Sequence, residues 1–178
     1  MNLPNILSLI RLCVVPLVPL IYFSDIPGAN LWTAFVYLAA TLTDFLDGYI
    51  ARKHNLVTRL GRVLDPLADK CMSFCVLVCI IIENDGLLWA GAIFFVKEAC
   101  MGLGALVQYK KIQDVPPSNV LGKVSTVFFF VVCFVVLVYP GLNETARALA
   151  IAAALALNLS AFAVYLTRFV VSSKRIGD

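Results

Sequence analysis

Charge is scarce in this chain. Only 14% of its 178 residues are Asp, Glu, Lys or Arg, against about a quarter in soluble domains. The formal net charge is only +3, and no basic stripe interleaves with aromatics, so nucleic acid is excluded as a partner. Histidine is rarer still: His54 is the single one, and it reads as a solvated loop residue. There is no internal repeat, no low-complexity tract and no domain linker, so the chain reads as one domain, 1–178. The six cysteines all sit inside apolar runs, which excludes the framework of a small secreted disulfide protein. Cys71, Cys75 and Cys79 share one helix face and read as small packing residues.

Apolar residues are abundant instead, at 61%. A water-soluble fold of this size has too little interior to hide them, so lipid must be part of the solvent. A membrane-spanning helix needs about 20 apolar residues at about 1.5 Å each. Six stretches qualify: Asn5 to Phe23, Leu31 to Arg52, Leu60 to Ile82, Leu87 to Tyr109, Asn119 to Tyr139 and Thr145 to Val171. Turn residues separate them, among them Ile26-Pro27-Gly28, Asn84-Asp85-Gly86, Pro116-Pro117-Ser118 and Pro140-Gly141. The runs are too long and too continuously apolar for barrel strands. The fold class expected is an all-α membrane protein, a bundle of six transmembrane helices. Arg11 interrupts the first stretch and no small-residue cleavage site follows Leu20, so that stretch reads as a retained span rather than a signal peptide. Basic residues gather between stretches two and three (Arg52, Lys53, Arg59, Arg62), between four and five (Lys110, Lys111) and at the end (Lys174, Arg175). The positive-inside rule then places both termini in the cytoplasm.

Stretches two and three carry acids where apolar residues are the norm. Asp44 and Asp47 stand three apart on one helix, and Asp65 and Asp69 four apart on the next, so each pair shares a face. A short connection makes the helices antiparallel neighbours and brings both pairs to one cytoplasmic end. A charge in the bilayer core costs at least about 2.5 kcal/mol, so four unpaired carboxylates together are untenable. Oxygen-only donors suit hard cations such as Mg²⁺, Mn²⁺ or Ca²⁺. Two divalent ions cancel four acids, and such ions also clamp phosphates, which points to a phosphate-bearing substrate. Gly48 and Gly61 remove side chains where a ligand would approach backbone closely, and Arg52 has the fork geometry for phosphate. An ion channel or transporter is the alternative from another class, but the acids stop at the cytoplasmic third instead of lining the full depth.

The run Asp-x2-Asp-Gly-x2-Ala-Arg-x8-Gly-x3-Asp-x3-Asp, from Asp44 to Asp69, resembles the signature of the CDP-alcohol phosphatidyltransferases. All eight fixed residues over 26 positions are present. Leu3 to Arg11 is similar to the opening of the phosphatidylglycerophosphate synthase and cardiolipin synthase branches. The resemblance implies a homodimeric six-helix bundle in a bacterial cell membrane, with its active site facing the cytoplasm. It implies that Asp44, Asp47, Asp65 and Asp69 hold two divalent cations, Mg²⁺ or Mn²⁺, and that Asp69 is also the general base. It places Asn5, Ser8, Gly48, Arg52, Thr58 and Gly61 around CDP-diacylglycerol. The implied reaction transfers a phosphatidyl group to an alcohol and releases CMP.

The acceptor implied first is glycerol 3-phosphate, with Lys97, Lys110, Lys123 and Arg168 as candidate acceptor-binding residues. Lys97-Glu98 has the alternative of a helix–helix ion pair. The phosphatidylglycerophosphate synthase branch usually reads Arg-Glu at Lys97-Glu98, Arg at Gly104 and Lys at Ser125. Those departures keep phosphatidylglycerol, the acceptor of cardiolipin synthases, as the alternative.

Overall fold

The computed structural model describes residues 3–53, 61–112 and 120–174. Its regular structure is helical, and no strand occurs among the described residues. The helices are α1 (Leu3–Val14), α2 (Leu17–Tyr22), α3 (Ala29–Lys53), α4 (Gly61–Ile82), α5 (Leu88–Ile112), α6 (Val120–Val138) and α7 (Glu144–Lys174), with a 3₁₀ turn at Asp85–Leu87. Five of the six expected spans appear as single helices with ends shifted by a few residues. The first does not. It is broken into α1 and α2 at Val15 and Pro16.

Proline chemistry explains the break. Pro16 and Pro19 bring no N–H to the carbonyls four residues earlier. One of those is Val15 O, which accepts from Val18 N at 3.2 Å and from Cys75 Sγ at 3.6 Å. A cysteine of the α4 stripe thus serves the backbone at the break. The turn into α3 needs Gly28, whose φ of 75° is the left-handed conformation that a Cβ disfavours. Asn84 closes α4 by donating to Ile80 O at 2.7 Å, and Asn143 caps α7 by accepting from Thr145 N at 3.2 Å.

The chain forms two compact units. The first comprises Met1–Asp85 and Cys133–Leu142. In it α1 packs on α3 and α4, α2 packs on the same two helices, and α3 packs on α4. Its buried core includes Val18, Tyr37, Met72, Val76, Leu77 and Ile80. Tyr22 Oη donates to Glu83 Oε2 at 2.6 Å, tying the end of α2 to the end of α4.

The second unit comprises Gly86–Val132 and Asn143–Asp178. Here α5 packs on α7, and Phe94 stacks on Phe129 of α6 with ring centroids 4.9 Å apart. Large apolar side chains point outward in both units, Phe35, Phe45, Leu88, Phe95 and Leu149 among them. Exposed apolar surface on this scale marks contact with something other than water. Among the described residues, two helical segments, Val120–Val138 and Glu144–Thr167, are long and apolar enough to cross a membrane.

Candidate active site on helices α1, α3 and α4

Two contacts fix the direction of α1 against α4. Ser8 meets Asp65 and Val15 meets Cys75, so both chains advance together. Across α1 and α3, Arg11 meets Asp44. On the α3–α4 face, Tyr37 Oη and Ser73 Oγ lie 3.4 Å apart. With α3 and α4 antiparallel, each step up one helix matches a step down the other. Starting from Tyr37 opposite Ser73, Asp44 falls level with Pro66, Asp65 with Phe45 and Asp69 with Thr41. Asp47 falls level with Val63. All four acidic positions therefore sit within about 9 Å along the helix axes, six residues at the α-helical rise. Asp65, Asp69 and Ser73 form one stripe at four-residue spacing, and Tyr37 and Asp44 are seven apart on the facing helix.

Helix α1 closes this face. Ser8 donates its hydroxyl to Asp65 Oδ1. Arg11, one turn on, donates from Nη1 to Asp44 Oδ1 in an ion pair. Both α1 side chains are buried, Ser8 2% and Arg11 4% exposed. A single turn of α1 thus delivers one hydroxyl and one cation to one acid of each pair. Both bonds are part-buried: Ser8 and Arg11 are shielded from water, while the Asp44 side chain stays 36% exposed. Beside Arg11 opens an apolar groove of about 360 Å³ between α1–α2 and α3, running from Ile21 and Phe35 past Ala39 and Ala40 to Thr43.

Of the residues expected to meet CDP-diacylglycerol, Ser8 is at this site. Gly61 is buried at the start of α4, and Gly48 is half-buried on α3. The side chains of Asn5, Asp47 and Arg52 lie outside the described ones, and Thr58 and His54 lie outside the described residues altogether. Among the described residues, no three side chains of the metal-binding kinds converge on a common point. Asp44 and Asp65 are instead turned onto Arg11 and Ser8. By donor chemistry the set fits a hard divalent ion: four aspartate positions at one level on two adjacent helices, each able to offer oxygen donors only.

Of the candidate acceptor residues, Lys97 is in a different setting. It is 5% exposed and donates to Glu98 Oε1 at 2.5 Å and to Asn158 Oδ1 at 3.2 Å. Asn158 Nδ2 donates in turn to the carbonyls of Ser125 and Ala154, each at 3.1 Å. Lys97 Nζ also lies 5.8 Å from the centre of the Phe94 ring. The network joins α5, α6 and α7 within the second unit, so Lys97 is held by structural partners. Lys123 is exposed, and the side chains of Lys110 and Arg168 lie outside the described ones. Arg11 and Asn158 were not singled out as site or network residues from the sequence. The available signal was a lone arginine and a lone amide inside apolar stretches, which burial forces to find partners.

The family model described as CDP-alcohol phosphatidyltransferase matches residues 1–160. The chain belongs to the CDP-alcohol phosphatidyltransferase family. A CDP-diacylglycerol--glycerol-3-phosphate 3-phosphatidyltransferase from Rickettsia bellii (strain RML369-C) is 43% identical over 84 residues, covering 47% of this chain and 46% of that protein. The matched stretch thus spans a little under half the length of the Rickettsia relatives. A protein of the same name from Bacillus subtilis (strain 168) is 32% identical over 137 residues, 70% of each chain. A Schizosaccharomyces pombe (strain 972 / ATCC 24843) protein named cardiolipin synthase (CMP-forming) / mitochondrial hydrolase fusion protein is 35% identical over 115 residues, 65% of this chain and 18% of its own. The signature that the family resemblance rested on, Asp44 to Asp69, lies inside the matched region.

Proposed function

We propose that this chain transfers the phosphatidyl group of CDP-diacylglycerol to glycerol 3-phosphate, giving phosphatidylglycerophosphate and releasing CMP. The observation that carries the reading is the levelling of Asp44, Asp47, Asp65 and Asp69 on α3 and α4, in a chain whose relatives from Rickettsia and Bacillus are named for that reaction. Two divalent cations, Mg²⁺ or Mn²⁺, held by these four residues supply the positive charge that a diphosphate requires. Asp69 accepts the proton of the incoming hydroxyl. The hydroxyl oxygen forms a bond to the phosphorus bearing diacylglycerol, and the bond from that phosphorus to CMP breaks. Gly48 and Gly61 leave room for the substrate, and Asn5, Ser8, Arg52 and Thr58 surround its head. The groove beside Arg11 takes an acyl chain of CDP-diacylglycerol, because it is apolar and runs up to the level of Asp44.

The chain acts as one integral-membrane domain over 1–178, with six spans, both termini and the site on the cytoplasmic side of a bacterial membrane. This topology is supported by the outward-facing apolar side chains and by the lysines and arginines of alternate loops. The broken α1–α2 segment serves as the first span. A homodimer is the working assembly, and the alanine-rich face of α7 is suited to close helix packing.

A second reading has specific support. Transfer to phosphatidylglycerol, the cardiolipin synthase reaction, fits the places where this chain departs from the phosphatidylglycerophosphate synthase branch. Lys97 is engaged by Glu98 and Asn158. Ser125, where the branch carries a lysine, donates to Gly122 O at 2.9 Å. Tyr165 lies 3.7 Å from the place a side chain would begin at Gly104, where the branch carries an arginine. Incubating the purified chain with CDP-diacylglycerol and each acceptor separately decides between them. Phosphatidylglycerophosphate from glycerol 3-phosphate supports the first reading, and cardiolipin from phosphatidylglycerol supports the second. A chain that makes neither product contradicts both.

A further inference from the structure

We propose that Arg11 is a tethered counter-cation that competes with the divalent ion for Asp44, so that metal loading and the Arg11–Asp44 ion pair are alternatives. This rests on the metal reading of the four aspartates. The guanidinium is always protonated and here is almost wholly buried. It spends its Nη1 donor on Asp44 Oδ1, an oxygen of the expected ligand set. A carboxylate bound to a guanidinium is a weaker ligand, because its single negative charge is already matched. A divalent ion beside a buried guanidinium also meets direct repulsion in a medium of low polarity.

Placement on α1 makes the competition an intramolecular one. Ser8 and Arg11 stand three residues apart on the same face and hold acids of two different helices. Arg11 thus sits at high effective concentration over Asp44, and no free cation is needed to neutralise that acid. The acid cluster stays folded in the membrane without metal, and an arriving ion must release the guanidinium. A supporting, orienting partner behaves oppositely: its loss weakens metal binding.

The test uses the purified full-length chain in detergent, without nucleotide or lipid substrate. Mn²⁺ binding is followed by the loss of the free-ion electron paramagnetic resonance signal, and unfolding is followed with and without Mn²⁺. Arg11→Gln is expected to bind Mn²⁺ at least about tenfold more tightly than wild type, the factor matching loss of one charge-assisted bond. Its unfolding temperature is expected to drop in chelator and to return to the wild-type value at saturating Mn²⁺. Arg11→Lys keeps a charge with a less well matched donor, and its affinity is expected to fall between the two. It also stands in if Arg11→Gln does not fold in chelator. Wild type that binds Mn²⁺ while both variants bind it no more tightly overturns the competition alone. A stability loss of the same size with and without Mn²⁺ does so too. Failure of wild type and of both variants to bind Mn²⁺ overturns the metal reading and the competition with it.

Discussion

Tyr37 Oη and Ser73 Oγ lie 3.4 Å apart across α3 and α4, two turns below Asp44 and one turn from Asp69. Both side chains are buried, so the buried Tyr37 ring at this level marks the register of the two acid-bearing helices. A register shift of one turn would move Asp65 and Asp69 by about 5.4 Å relative to Asp44 and Asp47. The long contact itself is weak, and the tyrosine ring carries the packing. Tyr37→Phe is expected to cost no more than about 1 kcal/mol. Tyr37→Ala is expected to cost about 3 kcal/mol or more, the range for deleting a large buried aromatic, and to abolish turnover. Unfolding in detergent by denaturant measures both.

Asp69→Asn keeps the size of the side chain and removes its basicity. The expected outcome is a fall in kcat of about 10²-fold or more, the usual contribution of a positioned base. Binding of CDP-diacylglycerol should change only a few-fold. Steady-state kinetics with a separate lipid-binding measurement checks this. Parallel loss of binding and turnover would show Asp69 to be a metal ligand without a role in proton transfer.

The Lys97–Glu98–Asn158 network predicts a stability effect at a position that sequence alone offered to the acceptor. Asn158→Ala removes an acceptor from Lys97 and a donor from the carbonyls of Ser125 and Ala154. A loss of about 1–3 kcal/mol is expected, the cost of leaving buried polar groups unsatisfied. Lys97→Met should likewise destabilise, with the KM for glycerol 3-phosphate shifted less than about threefold. A tenfold rise in that KM at unchanged stability would instead support Lys97 as an acceptor-binding residue.

Much of the fold was legible because the chain is nearly binary. Apolar runs are separated by Pro, Gly, Asn and Asp, so helix ends fell within a few residues of expectation. The break at Pro16 is hidden in the sequence because the prolines sit inside an apolar run long enough to span a membrane. The acid pairs were legible because helical spacing repeats within a short segment. Their partners were not. Arg11 lies 33 positions from Asp44 and Ser8 57 from Asp65, and no local pattern encodes such pairings. Asn158 is one amide in an alanine-rich helix, and its role emerges only when α5 and α6 are packed beside it.

The groove between α1–α2 and α3 predicts a chain-length effect. Ala40→Phe places a ring in the groove and is expected to raise the KM for long-chain CDP-diacylglycerol several-fold. A short-chain analogue that does not fill the groove should be handled as by wild type. Equal effects on both substrates would place the acyl chain elsewhere.

Chelation tests the central claim most directly, since carboxylates repel a diphosphate unless divalent cations lie between them. CMP release from CDP-diacylglycerol and glycerol 3-phosphate should stop when the purified chain is treated with excess chelator. It should return on adding Mg²⁺ or Mn²⁺. Undiminished CMP release in the rigorously metal-free protein would contradict the account.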